Sequence, residues 1–303
     1  MSTKETSEQI VTPLGEPHAD PPAIVLDAAV QPMPTTSGAE WWLSWLEVLK
    51  AVGVWVVSVL LLIFVPVIVA LPYMIYVFMK SGAPSAEAIQ SDKTLIFLSV
   101  LGIIPTHILT LVAVWLVITE GGKRPFWKTI GFEWPEDASM KIGAVVSVAV
   151  AIVLLGLAWI VTKLYGGNKT QLDLLIESSL AARLATAFVA FATAPLVEEV
   201  VYRGVLYPAI EKVARLTTRT FNPALEAPLG MAIAIGFVSL LFAGVHVFQY
   251  YNNIAVIIVI TILSITLTVA RAVTGKLLPS FIIHLVFNGI QSLILALAPF
   301  LSK

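Results

Sequence analysis

The sequence contains no cysteine. That excludes disulfides, thiolate metal sites and cysteine nucleophiles, although it does not set a compartment. Charge is scarce as well: Asp, Glu, Lys and Arg make up 12% of the 303 residues, against roughly a quarter in soluble domains. The formal net charge of −1 provides no basic surface, so no nucleic-acid partner is expected. Several catalytic signatures are missing. There is no Gly-x-Ser-x-Gly turn for a serine hydrolase and no His-Glu-x-x-His for the usual zinc-protease helix. No aspartate falls inside a long apolar run, which argues against an aspartyl dyad.

Apolar residues are abundant, at 58%, and they recur in runs long enough to cross a bilayer. The expected fold is all-α: a polytopic transmembrane bundle of about seven spans. The lipid bilayer is therefore one partner. Residues 1–40 differ, being rich in Pro, Ser, Thr, Ala and acids without an apolar period. Such a segment buries too little surface to order itself and is expected to be a disordered tail. It lacks the basic start, apolar core and cleavage site of a signal peptide.

Three spans are expected within 41–180, at 52–78, 95–119 and 142–164. Four more are expected within 181–303: one from about 181 that continues beyond Tyr207, then 229–248, 254–270 and 278–300. Trp41, Trp42 and Trp45 suit a membrane–water interface, and Pro66 and Pro72 predict a kink in the first span. A short amphipathic piece is expected at 171–180. His107, in the second span, reads as a packed or backbone-bonded residue. Lys123, Arg124, Lys128, Lys141, Lys212, Arg215, Arg219, Arg271 and Lys276 fall on one side of this topology. The positive-inside rule then places the N-terminus in the cytoplasm.

One stretch stands out, Pro195-Leu196-Val197-Glu198-Glu199-Val200-Val201-Tyr202-Arg203. Ionisable groups inside a span are costly and usually functional. Glu199 and Arg203 are four apart, acid first, which favours a same-face ion pair. That pair is tolerable in low dielectric and reads as structural. Glu198 points about 100° away. It has no partner on its own helix and needs a metal, a histidine or a water. His246 and His284 occur in later spans. Asn288 shares a helix face with His284, and Phe242 shares one with His246. Such a set can hold a divalent metal such as zinc through Glu198, His246 and His284. Alternatively Glu198 can act as general base on water while the histidines and Asn288 stabilise an oxyanion within a polar intramembrane cavity.

The motifs Glu198-Glu199-x-x-x-Arg203, Phe242-x-x-x-His246 and His284-x-x-x-Asn288 resemble the three ordered motifs of the CPBP family. These are the CAAX-processing and bacteriocin-processing intramembrane proteases, also called Rce1-like or ABI proteins. The resemblance covers about 181–300 and no motif position departs from it. It implies an endopeptidase acting on membrane-associated protein or peptide substrates, CAAX-like or other. It assigns Glu198 as the catalytic glutamate, His246, His284 and Asn288 as the remaining site residues, and Glu199, Arg203 and Phe242 as supporting ones. Metalloprotease and metal-free glutamate mechanisms are both described for the family. A prokaryotic plasma membrane is the expected location, and the oligomeric state stays open. Two non-protease readings compete: a membrane scaffold or immunity-type protein, and a proton-coupled transporter.

Overall fold

A computed structural model describes residues 37–136, 140–166 and 171–301. Seven helices are long and apolar enough to span a membrane: α1 (Gly38–Ser81), α2 (Lys93–Ile118), α3 (Met140–Tyr165), α4 (Leu180–Phe221), α5 (Glu226–Tyr250), α6 (Ile254–Thr274) and α7 (Leu278–Leu301). The described residues contain no strand and form one compact unit. The chain is an integral membrane protein with an all-helical bundle. The expected tail lies outside the described residues as far as residue 36.

Helix ends follow local chemistry. Ser37 Oγ accepts from Glu40 N at the start of α1, Asp92 Oδ1 caps Thr94 N and Leu95 N of α2, and Asn253 Oδ1 caps Val256 N of α6. These side chains satisfy amides that a helix start leaves unpaired. α6 ends at Gly275, whose φ of 66° places it in the left-handed region that only glycine enters freely.

Two helices correct the expected boundaries. α1 begins at Gly38 rather than near 52, so 38–40 are helical and not part of a tail. At 1.5 Å per residue its 44 residues run to about 66 Å, well beyond a hydrocarbon core of ~30 Å. The extension is held by α4, where Lys212 Nζ lies 3.0 Å from Glu47 Oε2 and Arg219 Nη2 lies 3.4 Å from Glu40 Oε2. Pro66 and Pro72 stay inside the helix. α6 extends to Thr274, so Arg271 is a buried helical residue and not a loop cation.

α4 is the pillar of the bundle, contacting α1, α2, α5, α6 and α7. Two crossings in the bundle, α1 with α2 and α4 with α5, rest on tight spots. At Gly102 of α2 an added Cβ would stand 2.6 Å from Pro66 Cα of α1. At Gly230 of α5 it would stand 2.8 Å from Arg215 Cα of α4. Small residues at such crossings let helices approach closely where lipid offers no hydrophobic drive. Large apolar side chains such as Ile63, Phe64, Val145, Val153 and Trp159 cover the outer faces of α1 and α3, as a bilayer requires.

The connection between α2 and α3 folds back against the turn between α6 and α7. Gly131 O accepts from Leu277 N at 2.7 Å, and both Ile130 and Leu277 are fully buried. Lys276 Nζ donates to Glu133 Oε2 at 2.9 Å, which holds the Glu133 carboxyl below its usual range. This packing explains how His284 reaches a buried site although it lies only seven residues into α7. The turn before it is itself covered by protein.

Candidate active site

α4 is not a regular helix. Val189–Thr193 and Val200–Leu206 are π-helical turns on either side of the α-helical turn Ala194–Glu199. Each is followed within two residues by a proline, Pro195 and Pro208. Proline lacks the amide that would bond four residues back and its ring clashes with that carbonyl. The ladder widens locally, and such π-bulges recur at functional sites.

Side chains from other helices meet the carbonyls in these widened turns. Asn288 Nδ2 of α7 donates to Ala190 O at 3.1 Å. Arg271 Nε of α6 donates to Arg203 O at 3.0 Å. Thr193 Oγ1 donates to Val189 O at 3.2 Å within α4 itself. Buried carbonyls need such partners. Asn288, a residue of the His284-x-x-x-Asn288 motif, thus anchors α7 to the first π-turn.

Arg203 is fully buried and fully engaged. Nη1 donates to Glu199 Oε1 at 3.0 Å, Nε to Thr268 Oγ1 at 3.2 Å, and Nη2 to Ser264 Oγ at 2.9 Å and Ser264 O at 3.0 Å. Its guanidinium carbon stands 4.6 Å from the Phe242 ring centroid, within cation–π range. The guanidinium therefore joins α4, α5 and α6.

His284 connects the two glutamates. Its Nδ1 lies 3.0 Å from Glu199 Oε1. The ionised carboxylate only accepts, so Nδ1 carries a proton and Nε2 is the working nitrogen. That Nε2 faces Glu198 Oε2 at 3.6 Å. Glu199 is completely buried, whereas the Glu198 side chain keeps 25% exposure. Glu198 opens on a cavity of about 100 Å³ lined by Trp55, Ser58, His107, Thr110, Tyr202 and Val245 among others. Here Tyr202 Oη accepts from Trp55 Nε1 at 3.0 Å.

His246 lies at the edge of this arrangement. Its Nδ1 donates to Phe242 O at 2.8 Å, because a carbonyl can only accept. That leaves Nε2 with a free lone pair in the neutral ring. The ring sits 4.6 Å from Phe242 and stacks on Tyr250. Phe242 also meets His284 edge-on at 6.2 Å, so it lies between the two imidazoles.

The metal expectation can be tested on the donors themselves. Zinc would need Glu198, His246 and His284 gathered at ~2 Å from one point. Among the described residues no group of three or more His, Cys, Asp or Glu is placed to hold a metal ion.

Two groups beside Glu198 were not recognised as such in the sequence. His107 bonds a side chain, Thr193 Oγ1 at 2.8 Å, and not the backbone, and it faces the Glu198 cavity. Its signal was a polar ring in an apolar helix. Tyr202 follows Glu198 by four residues, which places both on one face of α4, but an interfacial tyrosine reads the same way.

Comparison with known proteins bears on this site. Residues 180–290 match the family described as type II CAAX prenyl endopeptidase Rce1-like. Residues 63–232, more than half of the chain, match one described as alpha/beta-hydrolase family N-terminus. The two matches overlap across the Glu198–Arg203 stretch. The second names an N-terminal region, and the spans that carry it here contain no strand among the described residues. No curated protein and no solved structure matches the chain. Through the helices that hold Glu198, His246 and His284 the chain belongs to the Rce1-like, CPBP family of CAAX-type intramembrane proteases, and through 63–232 to the family described as alpha/beta-hydrolase family N-terminus.

Proposed function

We propose that the chain is an intramembrane endopeptidase in which Glu198 activates water to cleave a peptide bond of a membrane-associated, CAAX-like substrate. The observation that carries the reading is the asymmetry of two adjacent carboxylates. Glu199 is committed to Arg203 and to His284 Nδ1, while Glu198 pairs with no lysine or arginine among the described residues and lines a cavity beside His284 Nε2.

In this mechanism Glu198 takes one proton from water as the oxygen bonds to the scissile carbonyl carbon. The carbonyl oxygen becomes an oxyanion. The C–N bond then breaks, and the proton held by Glu198 passes to the departing amine. The products are a carboxylic acid and an amine, and Glu198 is again ionised. His284, held in one tautomer by Glu199, can accept a hydrogen bond at Nε2 from Glu198 once that carboxyl carries the proton taken from water. His246, with Nδ1 fixed on Phe242 O, is assigned as the further polar group for the substrate, and Asn288 holds α7 to the first π-turn. Water activation is assigned to Glu198 alone, so activity is expected to survive complete metal removal by a chelator.

The test uses full-length protein in lipid nanodiscs with a quenched-fluorescence farnesylated peptide ending in a Cys-aliphatic-aliphatic-X motif. A non-prenylated membrane peptide forms the second arm. Wild type should cleave the first, and Glu198→Gln should lower the rate by ~10²–10⁴-fold, the usual worth of a general base. Undiminished cleavage by Glu198→Gln would overturn the mechanism. Cleavage of the non-prenylated peptide alone would overturn the CAAX-like substrate. A membrane scaffold would keep its cellular role after the same substitution.

A further inference from the structure

The Glu198 cavity has a wall outside the family motifs. Trp55, Ser58, Val59 and Leu62 of α1 and Thr106, His107 and Thr110 of α2 face Val197, Glu198, Val201 and Tyr202 of α4. The wall's one imidazole is His107, and it is 8% exposed. Burying a polar ring in an apolar helix is unfavourable unless both nitrogens find a use.

One nitrogen is accounted for. His107 Nδ1 stands 2.8 Å from Thr193 Oγ1. The threonine hydroxyl has a single hydrogen, and we assign it to Val189 O, which lies at 3.2 Å. On that assignment the oxygen accepts from His107 and the ring proton sits on Nδ1. His107 Nε2 is then a lone-pair acceptor on a ring that lines the same cavity as Glu198. A water between two acceptors donates one hydrogen to each, and its own lone pair is then aimed away from both.

We propose that His107 Nε2 holds the second hydrogen of the water that Glu198 deprotonates, with the Thr193 hydroxyl locking the ring in the required tautomer. The proposal rests on Glu198 acting as the base. It makes His107 a reacting-water contact supplied by α2, outside the 180–290 match. It also gives the first π-turn a purpose. Thr193 lies in that turn, so its widened geometry sets the hydroxyl against α2 while Asn288 takes the neighbouring Ala190 carbonyl.

A purely structural role for His107 would be to tie α2 to α4 through Thr193. Two amide substitutions separate the roles, because an Asn amide overlays Nδ1 and a Gln amide overlays Nε2. If the tie alone matters, His107→Asn keeps activity and His107→Gln loses it. If the water is held by Nε2, His107→Asn lowers kcat by about 10- to 100-fold, the scale of a misplaced reactant, with KM unchanged. His107→Gln then retains the larger share of kcat. Thermal unfolding in the same nanodiscs confirms that both variants are folded.

A second measurement needs no substrate. The sequence has four histidines, so ¹⁵N-imidazole labelling yields few signals, and His107→Asn assigns one of them. The His107 signal should show protonated Nδ1 and unprotonated Nε2, and Glu198→Gln should shift Nε2. Protonated Nε2, or an Nε2 signal indifferent to Glu198→Gln, would overturn the proposal. In the assay, wild-type kcat for His107→Asn would overturn it too. If Glu198→Gln cleaves like wild type, the base reading itself fails, and the nitrogen signals still decide whether His107 and Glu198 share a water.

Discussion

The same ion pair occurs twice along α4. Glu199–Arg203 and Glu211–Arg215 both place an arginine four residues after a glutamate. The second pair is closer, at 2.6 Å against 3.0 Å. Distance alone would rank it first. Environment reverses the order: Arg203 and Glu199 have no exposure, whereas Arg215 keeps 40%. A water-facing pair gains about 0–1 kcal/mol. A dry pair gains little net stability over an apolar replacement of both, yet breaking it strands a charge. The buried pair also carries attachments that the exposed one lacks, to Ser264, Thr268, Phe242 and His284. Its importance lies in those attachments, since they deliver His284 to Glu198.

The sharpest way to break this contrast is Arg203→Leu. It leaves Glu199 ionised in a dry site and removes the link between α4 and α6. The expected loss is roughly 3–5 kcal/mol, read as a lower unfolding midpoint in denaturant. Activity should fall with it, because His284 loses the carboxylate geometry that fixes its tautomer. A midpoint within error of wild type would show that water reaches this pair.

Asn288→Ala should come next. Asn288 is bonded to the Ala190 carbonyl, so truncation leaves a carbonyl in the π-turn without its donor. An unpaired buried acceptor costs about 1–3 kcal/mol. The variant should therefore lose stability as well as activity, which separates an anchoring amide from one that only meets the transition state. Reduced kcat with full stability would assign Asn288 to the oxyanion instead.

The seven spans were legible because hydrocarbon demands long apolar runs, and the Glu199–Arg203 pair because helix period and charge order impose it. The start of α1 was not. Its first turns are amphipathic, and what holds them is a long-range set of contacts to Lys212 and Arg219 on α4. Arg271 looked like a loop cation for a similar reason. Its partner is a main-chain carbonyl, Arg203 O, which no side-chain pattern advertises. The π-turns left one trace, the prolines at 195 and 208, whose effect depends on whether the chain breaks or widens around them. The motif residues Glu198, His284 and Asn288 were visible, but their division of labour was not. His284 divides its nitrogens between two carboxylates, and Asn288 turns to backbone.

The smallest effect belongs to the exposed pair, and it completes the comparison. Arg215→Leu keeps an aliphatic stem against Gly230, where α4 and α5 approach closely, and removes only the charge. Glu211 at 19% exposure can recover its lost partner from solvent. The destabilisation should stay below about 1 kcal/mol, and it should fade in concentrated salt, where the screening length falls to ~3 Å at 1 M. Arg203→Leu should be indifferent to the same salt, because ions do not enter a site with no exposure. Paired unfolding curves at low and high salt therefore separate the two arginines by a criterion independent of magnitude. Equal salt sensitivity would mean that the buried cluster is wetted, and the argument that Glu199 is confined while Glu198 is free to act on water would lose its physical basis.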